Sequence, residues 1–186
     1  MTRWLLLLML YSVPFFGQQQ EDTKILNAIL LNYYKNEKVI YKGRNQLLFL
    51  YCEKVNNNEQ ILETANTLKL PKATIAAIKS EMLSDVAVET WSADLETIYT
   101  SDKSSLKTKI NKCLSLDEYL NHYKKPNLNN QRLMIISKPI LYSNGNMALV
   151  KVVFYRTIEH NNGSVLRLEK VGDEWHIKEY LNEWST

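Results

Sequence analysis

Between Arg132 and Tyr180 apolar and polar positions fall into four short bursts, RLMIISKPIL, MALVKVVFYR, SVLRLEKV and EWHIKEY, separated by SNGN, by EHNNG and by Gly172-Asp173. Apolar runs of this length, broken by glycine and small polar residues, predict strands joined by tight turns, an antiparallel meander. Asn144-Gly145 is the strongest turn signal, because a two-residue hairpin loop needs positive φ at both positions and Asn and Gly tolerate it best. In the second burst Ala148, Val150, Val152 and Phe154 share one side, and Met147, Leu149, Lys151, Val153 and Tyr155 share the other. Only Lys151 interrupts a strand that is otherwise apolar on both faces, which predicts a central position. Leu166 and Leu168 in the third burst, and Trp175 and Ile177 in the fourth, oppose polar neighbours and predict burial on one face. Pro139 cannot donate to a ladder, so the first burst is an edge strand or one broken by a bulge. Asn162-Gly163 reads as the turn of the second hairpin, which also accounts for the glycosylation spelling Asn162-Gly163-Ser164.

Upstream the period lengthens to that of helices. Ile25, Leu26, Ile29, Leu30, Tyr33 and Tyr34 lie on one face of a helix predicted over Thr23 to Tyr34. Val39-Ile40-Tyr41 is a short apolar run, and Leu47 to Tyr51 is expected to be a strand, with a buried helix turn as the alternative that periodicity leaves open. A second helix starts near the capping residue Asn58, buries Ile61, Leu62 and Ala65, and stops near Leu70, because Pro71 excludes the helical conformation for the residue before it. Pro71 suits the first position of a third helix reaching Leu83, with Ile75, Ile78 and Met82 on a stripe. Val86, Val88 and Trp91 suggest a short strand with Trp91 as a core anchor. Ser92 to Cys113 carries little pattern, and Thr100 to Ser105 reads as a loop. Ser115 and Glu118 form a capping box opening a fourth helix, whose face is Leu116, Tyr119, Leu120 and Tyr123 and whose end is Lys124-Lys125-Pro126.

The first residues belong to a different pattern. Arg3, the apolar run from Trp4 to Tyr11, and Gly17 ahead of Gln18-Gln19-Gln20 read as a secretory signal peptide over residues 1–17, with an uncleaved anchor as the alternative. The run is too short to span a bilayer and no second one follows, so no membrane span is expected after the leader is removed. Residues 18–186 then make a single domain. The formal charge of +3 falls to +2 without Arg3 (22 basic against 20 acidic) and suggests no polyanionic partner. Lys103, Lys107, Lys109 and Lys112 lack the interleaved aromatics of a nucleic-acid groove and read as a solvated face, so no nucleic acid is expected. Cys52 and Cys113 are the two cysteines. In an oxidising compartment they are a disulfide candidate worth about 4 kcal/mol in the chain-entropy model, while a free buried thiol at Cys52 is the competing reading.

Little in the chain spells catalysis. His122, His160 and His176 lack a second ligand at helical spacing, so no metal is expected. There is no G-x-S-x-G, and the five scattered glycines build no phosphate loop, so no cofactor is expected. Glu174 and His176 share a strand face, as two solvent-facing polar residues would. Asp94, beside Trp91, is the one acid next to an aromatic anchor, where desolvation would raise its pKa if it faced a pocket; the plainer reading is a cap or turn residue. The 11 tyrosines, with Trp91, Trp175 and Trp184, favour binding over catalysis, because each carries an apolar body with a polar tip.

The closing block, SKPILYSNGNMALVKVVFYR followed by VLRLEKVGDEWHIKEY, resembles the C-terminal hairpins of uncharacterised secreted or periplasmic proteins of Gram-negative bacteria. These share a strand, an N-G turn, an apolar strand and a final G-x-x-W-x-I strand. The resemblance covers the last third of the chain and implies export but no activity; Thr157 to Gly163 departs from the glycine- and cysteine-rich hairpin that some members carry. The order of helices before a meander is also similar to the NTF2-like fold, whose curved sheet forms a pocket, although that family's catalytic acid or histidine maps onto no position here. The expected fold is α+β, with N-terminal helices packed on one face of a C-terminal antiparallel meander of about four strands. The expected function is an exported, non-catalytic protein that binds a protein or a cell-envelope component. The alternative is a small-ligand enzyme or binding protein of NTF2-like form, with a pocket drawn from Trp91, Asp94, Tyr155 and Trp175.

Overall fold

The structure, a computed structural model, describes residues 19–33, 49–55, 59–83, 88–101, 106, 110, 112–124 and 132–186. The leader, Val39-Ile40-Tyr41, Val86 and the lysines at 103, 107 and 109 lie outside the described residues. Helix α1 covers residues 19–33, followed by β1 (Phe49–Tyr51), α2 (Glu59–Thr67), α3 (Lys72–Leu83) and α4 (Ser92–Ser101). Then come β2 (Cys113–Leu114), α5 (Leu116–Tyr123), β3 (Leu133–Ile136), β4 (Ile140–Tyr142), β5 (Met147–Thr157), β6 (His160–Val171) and β7 (Glu174–Ser185). The seven strands form one sheet in the order β2-β1-β3-β5-β6-β7, with β4 pairing the far part of β5. β1 runs parallel to β2 and to β3, and the remaining pairs are antiparallel.

The α+β class and the mostly antiparallel sheet follow the hydrophobic pattern, and β5 is the interior strand its two apolar faces predict. The sheet exceeds the expected four strands for two reasons. β1, which lies within the strand expected at Leu47 to Tyr51, joins the same sheet as the meander, together with β2, whose two residues are too short for alternation to register. Pro139 divides the first burst in two: β3 pairs Ile136 with Val152 and β4 pairs Ile140 with Leu149, leaving one extra residue on the Pro139 side. That break is a bulge, and beyond it β4 pairs with β5 alone and forms an edge, so Pro139 marks both of the features it was read to allow.

Helices cover both faces, not one. On the first face Ile25, Leu26, Ile29 and Leu30 of α1, with Leu95 and Ile98 of α4, pack on Ala148, Val150, Val152, Leu166 and Leu168 in the main core. On the second face Ile61, Ala65 and Ile78 of α2 and α3 meet Ile140, Met147, Leu149 and Val165. Tyr119 of α5 packs there against Leu133 and Leu114, with Tyr155 alongside. The capping box forms as spelled: Ser115 Oγ accepts from the Glu118 N–H at 3.2 Å, and the Ser115 N–H donates to the Glu118 carboxylate at 2.8 Å.

Two turns differ from expectation. The β4–β5 hairpin closes through four residues, Ser143 to Asn146, and Ser143 joins Asn144 and Gly145 at positive φ (53°, 57° and 78°). Asn162 and Gly163 lie inside β6, and the β5–β6 reversal falls at Ile158-Glu159. Gly163 is required there by crowding. A Cβ on it would stand 2.8 Å from the Val152 carbonyl oxygen and 2.9 Å from the Trp184 ring. Trp91 starts no strand; it is fully buried immediately before α4, and its indole donates to the Ile136 carbonyl at 3.2 Å.

Candidate functional site

Two places concentrate polar chemistry against apolar walls, one on each face of the sheet. On the first face Lys54, just past β1, turns its side chain inward between α1 and α4. Its ammonium lies 2.9 Å from Asp22, 3.1 Å from Asp94 and 3.7 Å from Glu89, and 4.4 Å from the centre of the Trp91 ring. The side chains of Lys54, Asp22 and Asp94 are 3, 1 and 1 % exposed. Thr23 donates to Asp94 at 2.5 Å, and Lys138 closes on Glu89 at 2.8 Å. Burial pulls the Lys54 pKa down, but Asp22 and Asp94 outweigh it and leave the group above its ordinary value. Backbone pairing fixes the frame, because Lys54 N–H bonds to Glu89 C=O at 2.9 Å and Trp91 N–H to Cys52 C=O at 2.8 Å. Every charge in this cluster is answered by another, and Lys54, Asp22 and Asp94 are shut off from solvent, with Glu89 at the rim. The cluster is a lock between α1, α4 and the sheet. It offers a ligand no opening.

Beside it a second set ties α1 to the β6–β7 hairpin. Glu21 accepts from the Trp175 indole at 2.8 Å and pairs with Lys170 at 2.9 Å, and Lys24 pairs with Asp173 at 2.5 Å. Burial opposes the Glu21 charge, yet Lys170 and Trp175 together hold its carboxyl below the usual range.

The second face is built differently. Where α2 and α3 cover one end of β5 and α5 covers the other, the middle is left open as a groove of about 330 Å³ whose walls include Tyr51, Leu116, Ile135 and Val153. Lys151 stands in it. The Lys151 ammonium meets no carboxylate and makes no hydrogen bond among the described residues, and burial lowers its pKa with nothing set against it. Its neighbours are neutral or engaged. Val165 is its cross-strand partner in β6, and Arg167, two positions on, is held by Glu179 at 3.3 Å.

Ser137 also lines the groove, but its hydroxyl is committed to the bulge. It accepts the Lys151 backbone N–H at 2.9 Å and donates to the Lys138 carbonyl at 3.2 Å. That leaves no lone hydroxyl facing the lysine as a nucleophile would. Two further clefts are described. One of about 400 Å³ lies between α1 and α4 and is rimmed by Gln19, Gln20, Thr23 and Thr97; the other, of about 540 Å³, runs past Leu120, Tyr155 and His160. Neither sets an unpaired cation in apolar walls.

The structure divides the four residues read from the sequence as a pocket. Trp91 and Asp94 meet at Lys54, and Trp175 sits in the same first-face core. Tyr155 lies on the second face, its ring 6.1 Å from that of Tyr119. Cys52 and Cys113 are bridged, with Cα atoms 4.8 Å apart, joining β1 to β2 beneath α4. Among the described residues no group of three His, Cys, Asp or Glu could hold a metal ion, and no helix is long and apolar enough to cross a membrane.

Spacing could not have gathered Asp22, Lys54 and Asp94, which are remote in sequence. Lys151 did leave a signal, as the single charge in an otherwise apolar strand. Comparisons with protein-family models, with curated proteins and with solved structures found no match.

Proposed function

We propose that this chain is an exported binding protein that holds a small, largely apolar ligand, free or part of the cell envelope, in the second-face groove, without transforming it. The observation that carries this is the groove itself. A volume of about 330 Å³ falls at the small end of ligand pockets, its walls are chiefly apolar, and its polar groups among the described residues are one lysine, a serine already bonded to backbone and the Tyr51 hydroxyl paired with Glu53. General acid–base or nucleophilic chemistry needs a second group beside the first, and among the described residues no histidine, carboxylate or thiol lines this groove. A lone charge in an apolar recess orients a ligand. Export is supported by the leader pattern of residues 1–17 and by the Cys52–Cys113 bridge, which suits an oxidising compartment.

The test is titration of the oxidised protein with the neutral apolar fluorophore N-phenyl-1-naphthylamine, followed by methyl NMR. Saturable one-to-one binding with shifts concentrated at Ile135 and Val153 is expected, and Val153→Phe, which fills the groove, should abolish it. Binding unaffected by that substitution, or shifts confined to other surfaces, would overturn the proposal.

A further inference from the structure

We propose that the second-face groove recognises a monocarboxylate with an apolar body, its carboxylate paired to Lys151. This rests on the groove being the ligand site and adds the class of ligand. An ammonium among apolar walls is unfavourable unless it is paired, and an isoleucine or valine would serve this position in the strand better. The other half-buried cations of the sheet are answered from within the chain: Lys170 by Glu21 at 2.9 Å, Arg167 by Glu179 at 3.3 Å and Lys138 by Glu89 at 2.8 Å. Lys151 has no such carboxylate among the described residues, so the ligand is the natural source of one. The geometry also sets the ligand's charge at one. With Arg167 engaged and Val165, Ser137 and Val153 as the remaining neighbours, a second negative charge would be buried without a partner.

The rest of the ligand meets Ile135, Val153, Leu116 and Tyr51, which offer apolar contact, the Tyr51 hydroxyl being already paired with Glu53.

The experiment compares decanoate, below its micelle concentration, with decanol of equal chain length, by calorimetry and methyl NMR, on the wild type and on Lys151→Met. Methionine keeps the unbranched stem and removes the charge. Decanoate is expected to shift Ile135 and Val153 and to bind the wild type at least about tenfold more tightly than Lys151→Met, the factor for one charge-assisted hydrogen bond, while decanol changes less than twofold. Equal binding of decanoate and decanol, insensitive to Lys151→Met, would overturn the carboxylate assignment and leave the groove as an apolar site. No shift at Ile135 or Val153 with either probe would overturn both. Should Lys151→Met fail to fold, the decanoate-to-decanol ratio on the wild type decides, with Lys151→Arg expected to keep the preference.

Discussion

Replacing Lys54 by methionine keeps an aliphatic stem against Trp91 and removes the one cation that Asp22 and Asp94 share. Both carboxylates are 1 % exposed and lie 2.9 and 3.1 Å from the lysine nitrogen, so the substitution takes the shared cation away from two buried charges rather than one. Breaking a single buried pair costs about 3–5 kcal/mol, and loss of the ammonium 4.4 Å from the Trp91 ring adds about 0.5–2 kcal/mol. The Thr23 hydroxyl, still donating to Asp94, offsets part of this. A loss at or above 4 kcal/mol is therefore expected, about a third or more of the stability of a typical domain. Urea unfolding of the oxidised protein at neutral pH measures it as a fall in midpoint at constant m. The triple variant Asp22→Asn, Lys54→Met, Asp94→Asn separates lost attraction from stranded charge. Because it leaves no uncompensated carboxylate, it should recover more than half of the loss. A Lys54→Met protein within about 1 kcal/mol of wild type would mean that water reaches Asp22 and Asp94, and the description of these residues as shut off from solvent would be wrong.

Other perturbations probe the frame around the groove. Removing the Cys52–Cys113 bridge, which closes 61 residues, should lower stability by about 4 kcal/mol, read as the midpoint difference between the wild type and Cys52→Ala/Cys113→Ala; an unchanged midpoint would show that the bridge constrains nothing. Gly163→Ala should cost about 1–3 kcal/mol in thermal unfolding, because its methyl would collide with the Val152 carbonyl and the Trp184 indole, and an unaltered Tm would refute that packing. Lys54 is raised, its two carboxylates outweighing burial, and Tyr99 is pushed up to about 12 by burial, so both stabilise the fold fully below their unfolded values near pH 10. Stability should hold to about pH 10 and decline as pH rises towards 12, and a decline that starts near neutrality would point to other groups.

What could be read from the chain depended on how local the determinant was. Ser115 and Glu118 sit three positions apart and their reciprocal cap forms as spelled, and Pro71 separates α2 from α3 where its ring forbids continuation. β5 showed its interior place because eleven residues give alternation room to speak. Gly163 was misplaced because a glycine needed for close approach has the same spelling as one needed for a turn. Asn161 and Asn162 beside it strengthened the wrong reading. Helix α4 was missed although Trp91, Leu95 and Ile98 fall on one helical stripe, because Thr97, Thr100 and Ser101 depress helix propensity. In the fold the hydroxyls of those three residues accept their places by bonding to carbonyls three or four residues back. The lock at Lys54 was out of reach for a different reason. Its partners come from three elements far apart in sequence, and only the sheet brings them together.

The two faces of β5 show one polar problem resolved in opposite ways. Lys54 was carried into the first-face core together with the carboxylates that answer it, and the arrangement immobilises α1 and α4 against the sheet. Lys151 occupies the middle of β5, a strand apolar on both faces, and has no carboxylate partner among the described residues, while the helices that could have covered it part on either side. A folding requirement does not explain that choice, since an aliphatic residue would pack between Ile135 and Val165 without desolvating a charge. Stability alone would have closed the gap or removed the lysine. That both persist in a strand otherwise optimised for burial is the argument for a ligand, because a site must leave unsatisfied in the free protein what its ligand will satisfy.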